Sequence, residues 1–157
     1  MRPEDLIFKP KHPLDPVQVL DRLKQAADSK NANEIGQVML EVFSVGVRPE
    51  FVPVLIDLLS QERHYKHEDI ISAFQTLKDP RTVEVIYRAS FIRHDYLDYD
   101  DTFGLARKCT WALADIGTEE ALAKLRLLAK SENSMVSGYA QKRIDNWELE
   151  RHRKRAA

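Results

Sequence analysis

The chain has 157 residues, 43% hydrophobic and 31% charged, with net charge −1 and a single cysteine. That is one ordinary globular domain with a sizeable core, neither disordered nor strongly drawn to nucleic acid or anionic membrane. No run approaches the roughly 18–20 apolar residues of a membrane span. Met1-Arg2-Pro3-Glu4-Asp5 lacks the apolar core of a signal peptide. Cys109 has no partner for an intrachain disulfide, so a reducing compartment, the cytoplasm, is expected.

Residues 1–15 read as a proline-punctuated lead, because Pro10, Pro13 and Pro16 forbid a regular helix before Asp15. Asp15-Pro16 then reads as an N-cap followed by proline in the first turn, opening a helix over 16–28 with Leu20, Leu23 and Ala27 on one face. Ile35, Val38, Met39 and Val42 predict a second helix over 33–45, ended by Gly46. Pro49 opens a third over 49–61. Ile70, Ile71, Phe74 and Leu77 carry a fourth over 66–78. Asp79-Pro80 opens a fifth over 80–93. Leu105, Cys109, Ala112, Leu113 and Ile116 define a sixth over 102–116, ended by Gly117. Thr118 starts a seventh over 119–130. Ser134 is expected to cap an eighth over 134–150, and residues 151–157 form a basic tail.

Val45, Leu77, Ile116 and Trp147 each close an apolar helical pattern and stand 32, 39 and 31 residues apart. A repeat of helix pairs at this period predicts stacked units around a continuous core. The longer spacing places one insertion at 93–101, within the third pair.

The clearest copies are Leu77-Lys78-Asp79-Pro80-Arg81-Thr82-Val83 and Ala112-Leu113-Ala114-Asp115-Ile116-Gly117-Thr118-Glu119-Glu120-Ala121-Leu122. On these residues the chain, over about 33–148, resembles the HEAT-like repeat family. The likeness is to the short-repeat type of phycobilin lyase subunits and small bacterial immunity-type proteins. The resemblance implies an all-α, right-handed α-solenoid of about four antiparallel helix pairs over 16–150. It also implies a concave face lined by the second helix of each pair. Such repeats serve unrelated functions.

Carrying the repeat register across the even-numbered helices predicts a surface. One row holds Leu40, Ser72, Trp111 and Lys142. The next two hold Glu68 with Arg107 and Asp69 with Lys108, and Tyr65 extends the edge. Tryptophan and arginine amid mixed charges suit a protein-binding patch. Trp111 has a second reading, as a side chain packed under a neighbouring helix. Glu68, Asp69 and Asp115 interrupt any basic stripe, which disfavours nucleic acid.

The insertion carries Asp95, Asp98, Asp100 and Asp101 interleaved with Tyr96, Leu97 and Tyr99. Carboxylates steer a basic protein and tyrosines supply contact area. Asp98, Asp100 and Thr102 alternate as in a calcium loop. However, Phe103 stands at the turn-glycine position and Cys109 where a closing glutamate belongs, so no calcium is expected. His64 and His67, three apart at a helix start, read as solvated rather than as metal ligands. Cys109, on an apolar helix face, reads as core.

No serine–histidine–aspartate order, phosphate loop or cysteine pair points to catalysis. The expected function is therefore non-catalytic protein binding without a cofactor or metal. In its sharpest form it is an immunity-type inhibitor of a toxin or effector domain. A lyase-like or chaperone subunit acting on a chromophore-bearing or modified partner is the alternative, followed by a nucleic-acid-binding solenoid.

Overall fold

Asp15, Asn31, Asp79, Thr118 and Asn133 each turn a side-chain oxygen onto backbone N–H groups that the first helical turn leaves unpaired. These caps, with Pro16, Pro49 and Pro80, set the starts of six of the helical segments seen in the computed structural model, which describes residues 14–150. The elements are α1 (Pro16–Ser29), α2 (Ala32–Val45), α3 (Val52–Ser60), α4 (His67–Leu77), α5 (Val83–Ala89), α6 (Gly104–Ile116), α7 (Glu119–Leu128) and α8 (Ser134–Asp145). Short 3-10 turns cover Pro49–Phe51, Pro80–Thr82 and Asp95–Leu97, and the described residues contain no strand.

Four of the helices, α1, α2, α4 and α6, end at a residue of positive φ. Gly46 and Gly117 do so without a Cβ penalty, at φ 91° and 72°. Lys30 and Lys78 do the same job at φ 57° and 54°, and each donates its N–H to a carbonyl four residues back.

The main helix contacts join elements that are consecutive or next but one in the chain. The odd helices α1, α3, α5 and α7 touch in succession, and α4, α6 and α8 form a second file packed against them. Between the files lies one core, with Leu23, Ile35, Phe51, Leu55, Ile71, Phe74, Ile86, Leu113 and Leu125 sealed from solvent. Cys109 is in that core, as its helix face implied, and burial pushes its thiol pKa up, away from reactivity.

Several boundaries differ from expectation. The third and fifth helices begin as 3-10 turns at their prolines. The fifth ends at Ala89 rather than at 93, unwinding through bonds from Phe91 and Ile92 to carbonyls three residues back. The sixth starts at Gly104 rather than at 102, because Asp100 captures the amides of Thr102 and Gly104. Asn133, not Ser134, caps the eighth. That helix pauses at Asn146, whose amide nitrogen bonds the Lys142 carbonyl, before a helical stretch over 147–150. The proline lead to residue 13 and the basic tail from 151 lie outside the described residues.

Candidate partner-binding edge

The 90–103 segment is fixed by buried aromatic rings. His64 and His67 leave the α3–α4 turn and stack at 4.0 Å between centroids, and His94 stacks on the other face of the pair at 3.6 Å from His67. His64 accepts the Lys66 N–H at Nδ1 (3.0 Å), so its proton is on Nε2, which donates to the Leu58 carbonyl at 2.6 Å. His67 donates from Nε2 to the Gln61 carbonyl at 2.6 Å. The Tyr96 hydroxyl accepts the His67 backbone N–H at 3.2 Å and donates to Nδ1 at 2.9 Å. Both of these rings are therefore bonded as neutral tautomers.

Desolvation holds all three histidines below their ordinary pKa, with His67 lowered to about 4. Burial, with the negative charge of Glu68 and Asp69 nearby, raises Tyr96 to about 12. The expectation of solvated histidines is thus overturned: His64 and His67 have no exposed surface. Tyr96, expected as an open contact residue, instead turns half inward and ties the loop to the start of α4. Nothing in the local spacing announced this, because the third ring and the tyrosine come from about thirty residues downstream.

Around this anchor the predicted residues divide. Tyr65 meets Tyr96 edge-on at 5.2 Å and is 67% exposed, while Tyr99 is 82% exposed. Asp95, Asp98 and Asp101 are exposed, and Asp98 makes only a loose 3.5 Å pair with Arg93. Glu68 and Asp69, in the first turn of α4, are half-buried on the same side, with Asp69 3.6 Å from Lys66. Asp100 differs from its neighbours. It accepts from the amides of Thr102 (2.8 Å) and Gly104 (2.9 Å) and from the Thr102 hydroxyl, which pulls its pKa down. Asp100 is a helix-start clamp rather than a free steering charge.

Trp111 is half-buried and one ring face is covered by the Arg143 guanidinium, 3.5 Å from the centroid; Arg143 is itself bonded to Glu150 at 2.7 Å. The predicted neighbour Lys142 is exposed, and Arg143 takes the place over the ring. Arg107 and Lys108 are also on α6, and Arg107 lies 5.7 Å from the Tyr139 ring. On this face Trp111 is covered by Arg143 while Arg107 and Lys142 stay exposed, whereas the Tyr65–Tyr99 edge presents its aromatic rings openly.

Beside the edge, between the 90–104 segment and the start of α8, is a cleft of about 260 Å³ walled by Phe91, Ile92, Phe103 and Val136. Phe91 and Ile92 are 58% and 44% exposed. Full burial of side chains this size is worth ~1.5–3 kcal/mol each, so their exposure leaves stabilisation unrealised. No group of histidines, cysteines and carboxylates with metal-binding placement occurs among the described residues. No described helix is long and apolar enough to cross a membrane.

Comparison of the chain with protein-family models finds no match, and comparisons with curated proteins and with solved structures also find none.

Proposed function

We propose that this protein is a non-catalytic, protein-binding module of the HEAT-like solenoid type. Its binding edge is formed by Tyr65, Tyr99, Asp95, Asp98 and Asp101 around the anchored Tyr96. The observation that carries this reading is the pairing of two widely exposed tyrosines with unpaired or loosely paired carboxylates on a segment held rigid from below. Rigid aromatics supply contact energy at low entropic cost, and surrounding carboxylates select and steer a basic surface. The succession of consecutive and next-but-one helix contacts supports a stacked arrangement of helix pairs. In its most specific form, the proposal makes the protein an immunity-type inhibitor that covers a basic functional surface of a toxin or effector domain in the cytoplasm.

The test is affinity capture with the intact protein and with a Tyr65→Ala/Tyr99→Ala/Asp95→Asn/Asp98→Asn/Asp101→Asn variant of matched melting temperature. A basic protein retained by the first and lost by the second supports the proposal. Equal retention by both places binding elsewhere.

A further inference from the structure

The cleft beside the edge is an apolar concavity adjoining those carboxylates, and its volume limits what it accepts. At about 260 Å³ it falls below the roughly 300–1,000 Å³ of sites that enclose a drug-sized ligand or cofactor. A cavity of ~150 Å³ holds one benzene, so the cleft has room for a single large side chain and its stem. Its walls are preformed: Phe103 is pinned under the Arg93 guanidinium at 4.5 Å, and Phe91 packs edge-on against Tyr87 at 5.0 Å.

Charge decides the surroundings of that side chain. Arg93 is the cation of the lining, and it already faces Asp98 at 3.5 Å while its charge stabilises the Asp100 carboxylate. Two carboxylates against one engaged guanidinium leave the mouth negative, and the exposed Asp95 and Asp101 extend that sign along the same segment. An anionic guest would meet both carboxylates and would compete with Asp98 for Arg93. A cationic guest needs no rearrangement.

We infer that the cleft seats an apolar side chain flanked by lysine or arginine, a hydrophobic anchor within a basic segment of the partner protein. The inference rests on the proposed binding edge and adds to it the chemistry of the anchor. Binding energy at interfaces concentrates where one large side chain enters a pocket ringed by polar groups.

The test uses two probes with one apolar body, 4-phenylbutylamine and 4-phenylbutyrate, titrated into the intact protein and followed by backbone amide NMR. The amine should shift the signals of Phe91 to Ala106 and Val136 and bind at least about threefold more tightly than the carboxylate. Phe91→Ala/Ile92→Ala, which alters two exposed side chains and should keep its melting temperature, should abolish those shifts. Equal or tighter binding of the carboxylate would overturn the inference, as would shifts confined to other helices or no binding of either probe. Sedimentation of the intact protein and this variant guards against another occupant. A self-association that the variant abolishes would assign the cleft to a second copy and also overturn the inference. If the probes fail while the tyrosine and aspartate substitutions still abolish partner capture, the anchor falls and the binding edge stands. If capture is indifferent to those substitutions, the edge itself falls.

Discussion

The Tyr96 hydroxyl bonds two groups of His67 at once, accepting the backbone N–H at 3.2 Å and donating to the ring Nδ1 at 2.9 Å. One phenol thereby satisfies a buried donor and a buried acceptor and ties the insertion to the first turn of α4. Tyr96→Phe keeps the ring and strands both groups. An unsatisfied buried polar group costs ~1–3 kcal/mol. Chemical denaturation should show a loss in that range, and amide exchange over 94–104 should quicken while that of α1 and α2 stays unchanged. Unchanged exchange in the loop would show that the hydroxyl bonds do not hold it.

Acid should weaken the fold above the carboxylate range. His67 binds its proton only near pH 4 in the native state, against about 6.5 in an unfolded chain, and His64 and His94 are lowered in the same direction. Between those values the unfolded state holds more protons, so unfolding free energy falls as pH falls. Stability should be full above pH 6.5 and decline toward pH 4, by up to about 3 kcal/mol for His67 alone. Urea denaturation at pH 7.5 and 5 measures it. His67→Gln should flatten much of the slope, and a flat wild-type profile across this window would mean that the rings charge freely.

Lys78 ends α4 at φ 54°, where the equivalent positions of α2 and α6 carry Gly46 and Gly117. A non-glycine residue in this region is strained by roughly 1–2 kcal/mol, partly offset by the greater unfolded-state entropy of glycine. Lys78→Gly should therefore raise stability by about 0.5–1 kcal/mol. A lower melting temperature would show that the lysine side chain contributes more than its backbone strain costs.

Gly104 is required by the clamp at the start of α6. A Cβ there would fall 2.5 Å from the Asp100 carboxylate oxygen that bonds the Gly104 amide. Gly104→Ala should displace that carboxylate, and Asp100→Ala should remove it. Each should cost about 0.5–2 kcal/mol, the range for a lost helix cap. Asp95→Asn, Asp98→Asn and Asp101→Asn should leave the melting temperature nearly unchanged, which separates the structural aspartate from its neighbours.

The helices were legible because each carries an apolar stripe and most have a capping residue or proline before it. Asp15-Pro16 and Gly117-Thr118 are cases in which one pair of letters marks an observed boundary. The end of α5 was not, since Phe91 and Ile92 continue the apolar pattern but face the cleft rather than the core. Likewise, the insertion's location followed from the repeat spacing, whereas its anchoring did not. The ring stack joins His64 and His67 to residues about thirty positions away, and such a contact has no period. For Trp111 the sequence left an exposed and a packed reading open; the side chain is half-buried, and the cation that covers one ring face comes from α8.

The central claim is that the exposed tyrosines and aspartates bind a basic protein. Association and dissociation rates to the captured partner, measured at two ionic strengths, test it most directly. Asp95→Asn/Asp98→Asn/Asp101→Asn should slow association and remove much of its salt dependence, because rim charges act mainly on encounter. Tyr65→Ala/Tyr99→Ala should speed dissociation, because aromatic contacts act after encounter. Rates unchanged in both variants, with melting temperatures also unchanged, would contradict the account and place the partner on another face of the protein.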